Sequence, residues 1–117
     1  MEKFDLSKMK QAMEVGDADA WSGLHSDDFE QIEMDDVTPP SNPKTHTKNG
    51  LYEIIKRASS NGVKFTVEKM VDGGDQIAYS VTCHIPNGRK IVSNVISDVK
   101  DGKINHELAV GARDPEK

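Results

Sequence analysis

The chain has 117 residues, 35% of them apolar, and a formal net charge of −5. That length supports one domain around one core. The acidic balance, with Lys and Arg scattered, excludes a phosphate-neutralising nucleic-acid surface and an anionic membrane surface, and a lone Cys83 excludes an intramolecular disulfide or a multi-cysteine zinc site.

Met1 to Lys10 alternates charged with apolar residues and has neither the apolar core nor the cleavage site of a signal peptide. No later stretch reaches the roughly 20 apolar residues of a membrane span, so the expected location is cytoplasmic. Leu6, Met9 and Met13 fall at helical spacing and predict an amphipathic helix ending near Gly16. Asp17 can cap a second short helix, with Ala20, Trp21 and Leu24 on its apolar face and His25 closing its last turn. Phe29 to Met34 alternates and predicts a short strand. Asp35 to Lys48 holds Pro39, Pro40 and Pro43 without apolar periodicity and predicts a long loop, a place where lids and binding segments are found. Thr47 or Asn49 can cap the next helix, in which Leu51, Ile54, Ile55 and Ala58 form a stripe that stops at Asn61-Gly62.

The remainder reads as strands. Val63, Phe65 and Val67 alternate with polar residues, and Asp72-Gly73-Gly74-Asp75 turns the chain. Ile77, Tyr79, Val81, Cys83 and Ile85 alternate for five positions, the strongest strand signal in the sequence. After the Pro86-Asn87-Gly88 hairpin loop, Lys90 to Val99 carries Ile91, Val95 and Val99 on one face and Val92 and Ile96 on the other. Asp101-Gly102 is a tight turn, and Ile104, Leu108 and Val110 complete a last strand. Helices followed by a four-strand antiparallel meander predict an α+β fold as a single domain over residues 1–112, with a polar tail at 113–117. A sheet apolar on both faces needs two covers: helices on one side and, on the other, a second copy of the chain in a two-fold homodimer.

The order of these elements resembles the SnoaL-like branch of the NTF2-like superfamily. Gly16-Asp17-Ala18-Asp19-Ala20-Trp21 looks like that family's helix-hairpin turn, and Asp27-Asp28-Phe29 like its entry into the first strand. Gly50 with Glu53-Ile54-Ile55 looks like its third helix, and Lys100-Asp101-Gly102-Lys103-Ile104 like its last hairpin. The resemblance implies a curved antiparallel sheet wrapped around helices to form a conical pocket. The family's cyclases commonly carry Asp on the last strand and an acidic residue on the strand before it. Aligned on Asp101-Gly102-Lys103-Ile104, those positions fall at Ala109 and near Val95, so no cyclase catalytic residue carries over.

Candidate chemistry comes from side chains that share faces. Asn94 and Asp98 sit on the face of Val92 and Ile96, where a polar pair lines a pocket or marks a solvated end. His84 shares a face with the small residues Ala78, Ser80 and Thr82, which leave room either for a cavity or for solvent or a dimer partner. Strict alternation puts His106 between Ile104 and Leu108, opposite Glu107; a lone histidine there is more often structural. His25 is explained by the helix dipole alone. Trp21 and Tyr79 line a cavity or pack as core, the commoner role. The histidines lack metal-ligand spacing, so no metal is expected, and no cofactor motif is present. Three readings follow. One is a pocket protein binding a small hydrophobic or amphipathic ligand through Trp21, Tyr79, Asn94 and Asp98. Another is a cofactor-independent isomerase, dehydratase or cyclase using Asp28, His84 and His106 for proton transfer. The third is a structural dimer module with a filled cavity.

Overall fold

The computed structural model describes residues 3–115. Three helices, α1 (Leu6–Glu14), α2 (Ala18–Gly23) and α3 (Lys48–Ser60), pack on one face of a six-stranded sheet. The strands are β1 (His25–Met34), β2 (Lys44–Thr47), β3 (Lys64–Asp72), β4 (Gln76–His84), β5 (Lys90–Lys100) and β6 (Lys103–Arg113), in the spatial order β2-β1-β6-β5-β4-β3. The meander β3 to β6 is antiparallel as expected. The whole sheet is mixed, however, because β1 runs parallel to β6 while β2 pairs antiparallel with β1.

Local chemistry explains the helix ends. Asp5 and Asp17 accept backbone N–H bonds from Lys8 and Ala20, each at 3.0 Å, capping α1 and α2. Between them Gly16 turns at φ +74°, and a Cβ there would stand 2.6 Å from Ser59 Oγ, so the α1–α2 turn tolerates only glycine. Thr47, rather than Asn49, caps α3 through its bond from Gly50 N–H at 3.1 Å. At the far edge of the sheet, Glu14 accepts from Val67 N–H at 2.9 Å and Lys10 donates to Val67 O at 2.8 Å, so α1 occupies backbone groups that edge strand β3 leaves open.

Four expectations are corrected. His25 does not close α2: Leu24 does, and His25 opens β1, which is four residues longer than the apolar alternation shows. The stretch 35–48 is not all loop, since Lys44–Thr47 forms edge strand β2, invisible to periodicity because it holds no apolar residue. Strand β6 continues through Arg113, which is bonded to Asp35, so the polar tail starts later; residues 116–117 lie outside those described. His106 does not share the face of Ile104, for the reason given below.

The core lies between the helices and the inner sheet face, with Met9, Trp21, Phe29, Val67, Ile77, Val95 and Ile104 almost fully buried. Among the described residues no helix covers the outer face. There Val92, Ile96 and Val110 are 43%, 52% and 47% exposed.

Candidate active site

The inner face does not close completely on its helices. A cavity of about 280 Å³ remains between α3 and strands β1, β4, β5 and β6. Leu51, Ile55 and Ala58 of α3 form one wall, and Tyr79, Val81, Val95 and Ala109 of the sheet form the other. Trp21 and Phe65 contribute aromatic surface.

One carboxylate stands in this apolar space. Glu107 is 2% exposed. Gln31 Nε2 donates to its Oε2 at 2.6 Å and Ser97 Oγ donates to its Oε1 at 2.9 Å. Burial outweighs these two bonds and pushes its pKa from 4.5 up to about 7. Beside it, burial and the Glu107 charge push the Tyr79 phenol well above its ordinary range, while Ser97 acts in the opposite direction. Tyr79 therefore stays protonated and can donate. Cys83 also lines the cavity, but burial raises its thiol to about 11, so it is no nucleophile near neutrality.

Glu107 faces inward because β6 is bulged. Val99 pairs with Ile104 and Asp98 pairs with His106, which leaves Asn105 as the extra residue. Beyond it the alternation changes phase: Glu107 and Ala109 point into the core, while His106 and Leu108 turn outward. Strict alternation from the Asp101-Gly102 turn therefore assigns these residues to the wrong faces.

Two further polar groups flank the cavity. Glu33, two residues along β1 from Gln31, lines its mouth, and His46 Nε2 of β2 lies 3.2 Å from Glu33 Oε1. Deeper in the core, His25 is 0% exposed, stacks on Trp21 at 3.9 Å, donates from Nδ1 to Trp21 O at 2.6 Å, and leaves Nε2 without a partner. Burial, with a smaller contribution from Lys48, lowers its pKa from 6.5 to about 4 against the effect of the Trp21 bond.

Of the residues singled out from sequence, Trp21 and Tyr79 line the cavity. The others do not. Asp28 is exposed on β1 and accepts from Ser26 Oγ at 2.6 Å. His84, Asn94, Asp98 and His106 lie on the outer sheet face. There His84 Nε2 is 3.0 Å from Thr66 Oγ1, Asn94 accepts from Ser80 at 2.7 Å, and Asp98 accepts from Gln76 at 2.9 Å with His106 Nδ1 3.8 Å away. Asp28, His84 and His106 thus occupy separate places and do not converge. Sequence reasoning missed Glu107, Gln31, Ser97 and Glu33. A signal was available on β5, where Ser93 and Ser97 interrupt the face of Ile91, Val95 and Val99. Among the described residues no three His, Cys, Asp or Glu side chains are placed to hold a metal ion, and no helix is long and apolar enough to cross a membrane.

The family described as the SnoaL-like domain matches residues 7–107. No curated protein matches the chain. Among solved structures, an NTF2-like protein of unknown function from Burkholderia xenovorans is 23% identical, with TM-score 0.70 over 96% of this chain and 82% of that one. A putative ketosteroid isomerase from Kribbella flavida is 16% identical, with TM-score 0.69 over 95% and 77%. IdmH, a putative polyketide cyclase from Streptomyces antibioticus, is 20% identical, with TM-score 0.66 over 91% and 88%. These likenesses establish an NTF2-like fold.

Proposed function

We propose that this chain, which belongs to the SnoaL-like family, binds a small amphipathic molecule between its sheet and helices and moves a proton on it with Glu107. The observation that carries the reading is a carboxyl of pKa about 7 enclosed in an apolar cavity. Acid–base catalysis is most effective when the group titrates near working pH, and an apolar site is how a fold shifts a carboxyl there. The open cavity favours this reading over a module whose side chains fill the cone.

In this reading Trp21 and the apolar walls hold the body of the ligand. Glu107 takes or returns the proton, and Tyr79 donates a hydrogen bond to the oxygen on which charge develops. Ser97 and Gln31 are positioning residues, since each fixes one carboxylate oxygen. The reaction class is isomerisation, dehydration or cyclisation next to a carbonyl; among the structural relatives one is a putative ketosteroid isomerase and one a putative polyketide cyclase. Binding without turnover is the second reading. It is favoured by Ala109, which lines the cavity at the position where the family's cyclases commonly carry Asp.

The homodimer is the other part of the proposal. Exposed Val92, Ile96 and Val110 form an apolar outer face that a second copy would cover, with Asn94, Asp98 and His106 at that interface.

The test is hydrogen–deuterium exchange at the α-carbon of small cyclic ketones, followed by NMR with wild type and Glu107→Gln. Wild-type protein is expected to accelerate exchange, with a loss of about 10²- to 10⁴-fold in the variant. Ketone binding with no exchange above buffer would remove the catalytic part and leave the binding reading. No binding of the ketones would remove the proton-transfer reading.

A further inference from the structure

We propose that the cavity is built for an amphipathic amine: an apolar body with one ammonium group, held at the β1 side of the mouth by Glu33 and Gln31. This rests on the pocket reading above and names the class of molecule the pocket selects.

The argument begins with what lines the space. Its carboxylic acids are Glu33 and Glu107, and its aromatic residues are Trp21, Phe65 and Tyr79; among the described residues no Lys or Arg lines it. A carboxylate ligand would enter an acidic, low-dielectric site with no cation to meet it, at high electrostatic cost. An ammonium meets the opposite situation, with carboxylates to pair with and aromatic faces that attract cations. The Arg113 guanidinium, whose charge acts on Glu33, does not line the cavity: it is held by Asp35 and lies 3.6 Å from Asp36.

An independent observation points the same way. Gln31 is only 7% exposed and lines the cavity. Its Nε2 is committed to Glu107 Oε2, and its Oε1 is buried with no donor. A buried acceptor without a partner carries a desolvation penalty that a ligand N–H would remove. Glu33 lies on the same face of β1, two residues and about 7 Å farther along, and His46 meets one of its two oxygens. An ammonium between these positions has three donors to share, while its apolar body extends towards Leu51, Ile55 and Val81.

The test uses three ligands on one skeleton: 2-naphthylmethylamine, 2-naphthalenemethanol and 2-naphthoate, titrated calorimetrically into the full chain at about pH 8, where the amine is cationic and the acid anionic. The amine is expected to bind at least tenfold more tightly than the alcohol, in keeping with a charge-assisted hydrogen bond, and the carboxylate weakest of the three. In Glu33→Gln the amine-to-alcohol ratio is expected to fall to threefold or less. Equal binding of alcohol and amine, or a carboxylate that matches the amine, overturns the inference and leaves the pocket reading standing. Failure of all three ligands overturns both. An amine preference unchanged in Glu33→Gln also overturns it, because the selectivity would then arise elsewhere.

Discussion

Replacing Glu107 by Gln should stabilise the protein at high pH, the reverse of what loss of a hydrogen-bonded core residue ordinarily does. An ordinary carboxyl titrates at 4.5, and Glu107 in the fold at about 7. Because the folded pKa is raised, the native chain holds the proton more tightly than the unfolded chain. Stability attributed to this group is therefore fully present below pH 4.5 and is lost as pH rises through 7. At about 1.4 kcal/mol per pH unit, ionising Glu107 costs the fold about 3 kcal/mol. Glutamine keeps the shape and a hydrogen-bonding end but never ionises. Urea unfolding of both proteins from pH 5 to pH 8.5 measures the effect as a difference. The variant should gain on wild type by about 2 to 3 kcal/mol across that range, most of it between pH 5 and pH 7, with the difference levelling off above pH 7. A difference that stays flat with pH would refute the reasoning, because it would mean that Glu107 titrates alike in the folded and unfolded chains.

His25 should behave in the opposite sense. Its folded pKa is lowered from 6.5 to about 4, so the unfolded chain takes the proton first and stability falls as pH drops through that window; a nitrogen-detected NMR titration should show a neutral imidazole down to about pH 4, and a midpoint near 6.5 would refute the buried assignment. Ile96→Asp should dissociate the proposed homodimer, with a rise of a hundredfold or more in its dissociation constant by sedimentation, since a carboxylate at a covered apolar face is costly to desolvate; a wild type monomeric at all concentrations would refute the interface. Gly111→Ala should destabilise the chain by about 1–3 kcal/mol, because the added Cβ would stand 2.7 Å from Ser93 Oγ and 2.9 Å from Val92 O; an unchanged melting temperature would show that β5 yields freely.

Much of the fold could be read from the sequence because local signals agreed with it. Asp17 and Thr47 sit at helix starts, Gly16 and Gly62 at helix stops, and β4 alternates without interruption from Ile77 to Cys83. What could not be read depends on contacts distant in sequence. Strand β2, Lys-Thr-His-Thr, has no reason of its own to be extended and exists by pairing with Glu30 to Glu33. The parallel pairing of β1 with β6 joins residues more than 70 positions apart, for which no turn motif exists. His25 has both a helix-end and a strand-start rationale in sequence, and its stacking on Trp21 and edge contact with Phe29 fix the second.

The site was misread for a more instructive reason than the bulge alone. Hydrophobic alternation identifies the core face of a strand when the core is filled with large apolar side chains. Here the inner face borders a cavity, so its residues are in part small or polar: Ser93 and Ser97 on β5, and Glu107, Ala109 and Gly111 on β6. The outer face holds Val92, Ile96, Leu108 and Val110. Along β6 beyond the bulge, pattern reading favours the side away from the helices, and it drew His106 into the candidate site. The same inversion accounts for both features of the molecule at once. Apolar residues placed outside leave a face that a second copy would cover, and small and polar residues placed inside leave a space with a carboxylate in it. A chain selected only for a packed core would carry the larger residues inward on β6 and would not interrupt the inner face of β5 with Ser93 and Ser97. Beyond Asn105 this chain does the reverse on β6, which points to the cavity, rather than the core around it, as what its inner face is shaped to provide.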